Sequence, residues 1–390
     1  MKIFKKRWMI VSFLAAAAFA QELQHVVVVV NIEVPVRVFS AGKFVADLSI
    51  DEFEVYENGQ PQKVEAVYLV KKTRVEKEEG PGLQGLSPQV ESRHFVLYFE
   101  MDSYLPELEK AVDLFFIDVL APGDSVWIVT PRQSLQLKKE TVARLPREKI
   151  SEQLKSLLKK DLRQLAQEMR RYSRDLQGLA TLMEAGAEPD SIFHSARDIF
   201  RQVRDLKSLE EKRLAQFATL LKEKTGQKHV FLFYQKEAVL VPAAFADLAE
   251  DPEFMRRNRI DVGKIKKMYA DVSTTIHCLY VTRTGLNPAG VDSRRTRTDG
   301  TIIYSPDGGG GDFYNAFRGL AVATGGLTES SANPASAFAK AVEASENYYL
   351  VYYKPSNPRP NGQFNEIEVK VKRSGCEVTH RAGYISRQVP

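Results

Sequence analysis

Cysteine is scarce: Cys278 and Cys376 are the only two in 390 residues. An oxidising compartment would permit a bond between them, but an isolated cysteine in an apolar run is more commonly buried as a small hydrophobe. Histidine is also rare. His25, His94, His194, His229, His277 and His380 show no metal-binding spacing such as H-E-x-x-H. The glycine run at 308–311 lacks the lysine and the serine or threonine of a phosphate-binding loop, so it reads as a connector. A large excess of one charge is missing too. The net charge is +5, and four of those positive charges (Lys2, Lys5, Lys6, Arg7) lie in the first twenty residues, which hold no acid. The remainder is about +1 (5 − 4), which removes any general electrostatic pull toward nucleic acid. Long hydrophobic runs are absent as well: the apolar stretch at 8–19 is too short for a comfortable membrane span.

What is present is an ordinary globular composition, 44% hydrophobic and 27% charged. The basic start, the apolar run at 8–19 and Ala18-Phe19-Ala20 fit a secretory signal peptide at 1–20, cut after Ala20. The expected location is therefore secreted or periplasmic, with no membrane span in the mature chain.

The chain is organised around residues 93–131. Residues 94–99 are apolar and aromatic without a polar break, as in a strand buried on both faces. Leu108, Ala111, Val112, Phe115, Phe116 and Val119 have helical spacing. Ala121-Pro122-Gly123-Asp124 stops that helix, and residues 125–130 form a second buried strand. Strand, helix and strand of this length predict a right-handed βαβ unit. Ligands of such units sit beyond the carboxyl ends of the strands, here at residues 100–104.

Around this unit, residues 25–72 are β-rich, with Asn58-Gly59 as a hairpin turn. Residues 71–92 are polar and rich in glycine and proline, and read as a linker. A short edge strand is expected over 134–142, and long helices over 147–183 and 190–224. Strands are expected at 229–234 and 274–281, with helices at 262–271, 312–324 and 334–345. Residues 346–386 return to β. The expected fold class is α/β: a doubly wound, mostly parallel sheet, plus a β-sandwich built from the terminal segments. The expected boundaries are 21–72 for the N-terminal β segment, 73–92 for the linker and 93–345 for the α/β domain. That domain carries a helical insertion at about 147–185, and a C-terminal β segment at 346–390 pairs with 21–72.

The strand, the acidic turn after it and the "LAPGD" before the next strand resemble the opening of a von Willebrand factor A-type domain. "F-V-x-D-L" ahead of "F-x-V-Y-E-N-G-x-P-Q", the later "Y-Y-L-x-Y-Y-x-P" and the final "R-x-G-Y" narrow it. Together they resemble the bacterial secreted proteins with a VWFA-related domain. The resemblance covers nearly the whole mature chain apart from about 147–185 and 283–311. It implies a von Willebrand A or Rossmann-like fold, and protein–protein binding rather than catalysis.

In A-type domains the first loop carries Asp-x-Ser-x-Ser and opens a metal-ion-dependent adhesion site. This chain has Glu100, Asp102 and Tyr104 there, no threonine in 186–191, and Lys236 after the fourth strand. All three loops depart from the pattern, so the site reads as degenerate, with no cofactor expected. A rebuilt Mg²⁺ site would draw on Glu100, Asp102, Ser103 and Asp190. The expected partner is a protein in the envelope or outside the cell. Its contact rim is expected at Asp102, Ser103, Tyr104, Asp190, Ser191, Gln235, Lys236, Arg294, Arg295 and Arg297. Two other readings are a Mg²⁺-dependent adhesion protein and an envelope hydrolase. The hydrolase needs a nucleophile and a base brought together, and no spacing in the sequence points to such a pair.

Overall fold

The computed structural model describes residues 31–72, 74–80, 92–207, 211–235, 239–249, 262–281, 294–296, 302–304, 311–358 and 362–386. The expected signal peptide at 1–20, with its cut after Ala20, lies outside the described residues, as does 81–91 of the expected linker.

The N-terminal segment forms β1 (Ile32–Ser40), β2 (Lys43–Phe44), β3 (Phe53–Glu57), β4 (Gln60–Gln62), β5 (Val64–Lys71) and β6 (Arg74–Glu79). In β1 the alternate residues Val34, Val36 and Val38 are fully buried, as period-two patterning requires. Asn58 and Gly59 both take positive φ, 49° and 76°, and so turn β3 back onto β4. The linker expectation is corrected by β6. Its sequence RVEKEE pairs antiparallel with β5 and closes one sheet edge with charge.

The middle of the chain begins with β7 (Arg93–Met101) and α1 (Leu108–Asp113), which runs on into a π-helical segment at Leu114–Val119. Then come β8 (Ser125–Val129), β9 (Ser134–Leu137), α2 (Lys139–Arg144), α3 (Arg147–Glu184), α4 (Pro189–Lys207) and α5 (Glu211–Lys222). The edge strand expected over 134–142 is thus shorter and gives way to α2. The helix expected over 190–224 is two helices, with 208–210 outside the described residues. Next are β10 (Gln227–Gln235), β11 (Val239–Val241), α6 (Ala246–Ala249), α7 (Val262–Asp271), β12 (Thr274–Val281), β13 (Arg294–Thr296) and β14 (Ile302–Tyr304). α8 (Gly311–Ala323), β15 (Thr328–Ser331) and α9 (Pro334–Glu346) follow. Asn333 caps α9 by accepting the Ser336 N–H, with Pro334 at its first turn. The C-terminal segment supplies β16 (Asn347–Tyr353), β17 (Phe364–Val371), β18 (Cys376–His380) and β19 (Gly383–Ile385).

The fold-class expectation is corrected here. The class is mixed α/β, but among the described residues parallel pairing is confined to one sheet, ordered β15-β12-β10-β7-β8-β9, and that sheet is itself mixed because β9 runs antiparallel. The other sheets are antiparallel, so a doubly wound parallel sheet does not describe the chain. The physical reason lies in the short turns. Hairpins such as Asn58-Gly59 and the tight return from β8 to β9 favour antiparallel neighbours, and the β-branched terminal segments supply many strands.

The architecture has three storeys. At the bottom, sheet β18-β1-β16-β5-β6 faces sheet β19-β17-β3-β4 across one core of Val34, Val36, Phe53, Val55, Tyr349, Val351, Ile367 and Val369. Here β16 lies between β1 and β5: residues 347–353 pair with 64–71 on one side, and residues 349–353 pair with 32–36 on the other. In the middle storey, α1, α9 and the first half of α3 cover one face of the mixed sheet. Helices α5, α7 and α8 cover the other. The top storey comes from α3. Its 38 residues reach about 57 Å at 1.5 Å per residue. Ile150, Leu154, Leu158 and Leu162 pack on the sheet, whereas Tyr172, Leu176 and Ala180 build a separate small core with Ile192, Ala196, Phe200, Val241, Phe245 and Leu248. The α3–α4 hairpin therefore continues past the sheet. Gly186, in the left-handed region at φ 86°, turns it.

Bottom and middle storeys are joined by buried arginines. Arg37 donates to the carbonyls of Ala344 and Gly325 and to Thr275 Oγ1. Arg381 donates to Ser273 Oγ and to the Glu33 carbonyl. At the foot of β7, Arg93 grips Asp124 with two bonds of 3.0 and 2.7 Å.

Candidate functional site

The parallel strands β7, β8 and β10 end on one side of the sheet, beneath the helical hairpin. The turn after β7 is held by backbone and side chain together: Asp102 N–H donates to the Gln235 carbonyl at 3.3 Å, and Gln235 Nε2 donates to Ser103 Oγ at 3.1 Å. Glu100, Asp102, Ser103 and Gln235 are all buried. Tyr104 is half-buried. Its hydroxyl donates to Glu109 at 2.5 Å, and Lys159 of α3 sits 5.8 Å over its ring. Burial and the Glu109 carboxylate push its phenol well above the usual range.

A second polar cluster closes the end of β8. Thr130 Oγ1 and Gln133 Nε2 both donate to Asp161 Oδ2 at 2.8 Å. Arg132 pairs with Glu168 at 2.8 Å, one level higher on α3. These groups clip α3 to the sheet where it starts to rise. Sequence reasoning missed Asp161. The signal was available: an aspartate within the apolar stripe Leu154, Leu158, Leu162, Leu165, where only a bonded carboxylate is tolerated.

The expected rim is not one surface. Asp102, Ser103 and Gln235 are sealed inside, while Asp190 and Ser191 are exposed at the start of α4. Glu184, just before that turn, is 23 residues beyond Asp161, which is about 35 Å along the helix. Arg294 and Arg295 belong to β13, which pairs with β14 in a small sheet with β11. Lys236, Arg297 and most of the 283–311 loop lie outside the described residues.

The oxygen set of a rebuilt Mg²⁺ site does not converge. Asp190 is carried away by the hairpin, and the Ser103 hydroxyl is engaged by the Gln235 amide. Among the described residues no group of three or more His, Cys, Asp or Glu stands together as an ion's ligands would. Both cysteines are free thiols. Cys278 is buried and donates to the Phe317 carbonyl, and burial pushes its pKa well up.

A different pair emerges at the opposite, amino-terminal ends of the strands. His94 Nδ1 lies 2.5 Å from Ser125 Oγ, and His94 Nε2 lies 2.8 Å from the Thr225 carbonyl. Thirty-one residues separate His94 from Ser125, and only the parallel β7–β8 register sets them side by side.

The chain matches no protein-family model, no curated protein and no solved structure. Among the described residues no helix is long and apolar enough to cross a membrane.

Proposed function

We propose that the chain is a protein-binding module acting outside the cytoplasm, in a secreted or periplasmic setting, and that the helical hairpin carries the contact. The observation behind this reading is the second small core. The distal half of α3 leaves the sheet and buries Tyr172, Leu176, Ala180, Ile192, Ala196 and Phe200 with residues 241–248. Holding a 38-residue helix out in this way orders many residues that add nothing to the main core. A surface presented to a partner is the use that fits. The hairpin end displays Leu182, 54% exposed, beside the exposed polar residues Asp190 and Ser191.

The test is cross-linking of the intact mature protein in an envelope fraction, with Leu182→Glu combined with Asp190→Lys as the hairpin variant and Ser103→Ala as the strand-end variant. The hairpin variant loses the cross-linked species and the strand-end variant keeps it. Retention by the hairpin variant would sink the reading.

A further inference from the structure

The foot of the mixed sheet holds a cleft of about 450 Å³, whose lining includes His94, Ser125, Lys138, Lys139 and Lys224 together with Glu140 and Glu223. That volume suits a small ligand. We propose that this cleft is an acyl-transfer site, with Ser125 as nucleophile and His94 as general base, for small esters that carry a negative charge. The site is independent of the helical hairpin and of any partner bound there.

The proton positions follow from the partners. A carbonyl oxygen only accepts, so His94 Nε2 carries the hydrogen that meets the Thr225 carbonyl at 2.8 Å. In the neutral ring Nδ1 is then the lone-pair nitrogen, and Ser125 O–H must donate to it across 2.5 Å. Nucleophile, base and an orienting acceptor stand in line, the relation that activates a serine. Gly226 permits this approach. It holds φ 99°, and a Cβ there would lie 2.2 Å from the Ser92 carbonyl, so a side chain would push the Thr225 segment away from β7.

The surroundings fit a developing negative charge. Burial first, then Lys224, Lys139 and Lys228, hold the His94 pKa below its ordinary 6.5, against the raising effect of the Thr225 carbonyl. The ring is therefore neutral and able to accept a proton at physiological pH. In the cleft lining Lys138, Lys139 and Lys224 outnumber Glu140 and Glu223, which leaves a net positive field for an oxyanion and an anionic substrate.

The step balances. Ser125 Oγ bonds to the ester carbonyl carbon while its proton moves to Nδ1. The tetrahedral centre collapses, the C–O bond to the alcohol breaks, and the alcohol takes that proton from Nδ1. Water then attacks the acyl-serine, Nδ1 takes one of its protons and returns it to Ser125 Oγ, and the carboxylic acid leaves.

The experiment treats the full chain at pH 7.5 with an alkyl fluorophosphonate and locates the adduct by peptide mass spectrometry. The serine oxygen displaces fluoride from phosphorus, so the label reads nucleophilicity directly. The expected result is a label on Ser125, none on that peptide in Ser125→Ala, and labelling at least about 100-fold slower in His94→Gln, the usual scale for a lost general base. The wild-type labelling rate should also hold until the pH falls below 6.5. A folded wild-type chain that stays unlabelled at Ser125 overturns the proposal, whatever the variants do. So does a folded His94→Gln that labels at the wild-type rate.

Discussion

Individual side chains in this protein are informative chiefly where they are buried and polar. His229 and His277 are fully enclosed, stacked at 6.3 Å across neighbouring strands, and held well below the ordinary histidine pKa by burial and by Arg37. Their folded pKa lies below that of the unfolded chain, so the unfolded chain takes up protons first as the pH falls. Stability held above pH 6.5 is lost progressively below it, by about 1.4 kcal/mol per pH unit for each ring kept neutral. Glu346 acts in the opposite sense, because burial raises its carboxyl pKa. Its contribution is present at low pH and is lost as the pH rises, so it offsets part of the histidine effect. Urea unfolding should therefore show a drop on the order of 2–4 kcal/mol between pH 7 and pH 5. In His229→Phe that pH dependence should be reduced but not abolished, because burial also lowers the pKa of His277, His94 and His380; an unchanged slope would mean that His229 is not among its sources. Ser103 and Asp102 give a second test. Titration calorimetry with Mg²⁺ or Mn²⁺ should show no tight binding. Heat that disappears in Asp102→Ala would restore the metal-dependent reading.

Among the elements, α3 is the one whose role changes along its length. Its first half is a core helix, and its second half depends on α4 and residues 241–248. Leu176→Ala should thus cost about 2–5 kcal/mol, the usual range for a buried leucine. The loss should appear as faster amide exchange in the hairpin, with the amides of β7 and β10 still protected. Equal exposure of both regions would show one cooperative unit instead. Asp161→Leu removes the acceptor shared by Thr130 and Gln133 and should cost about 1–3 kcal/mol, since both donors stay buried or half-buried. The helical period of α3 could be read from its leucines. That it leaves the sheet halfway could not, because an apolar stripe does not say which surface it will meet.

Across the whole molecule, the terminal segments depend on each other. With β16 between β1 and β5, a fragment of residues 31–80 lacks its central strand, and it should show no cooperative unfolding by circular dichroism. A sharp transition in that fragment would argue for an independent N-terminal domain. Local chemistry was enough to place the buried strands at β7, β8, β10 and β12, the Asn58-Gly59 turn and the helices expected at 262–271 and 334–345, since period, turn residues and caps act over a few neighbours. Pairing direction across the chain was decided by which edges met, and the polar edge β6 shows that a linker-like composition can still be drawn into a sheet. The site followed the same division. Residues 100–104 were recognisable as a strand-end turn, but their sealing by Gln235, the distance to Asp190 and the meeting of His94 with Ser125 arise from strand register. Such contacts between residues remote in the chain are set by packing, which no short window of sequence contains.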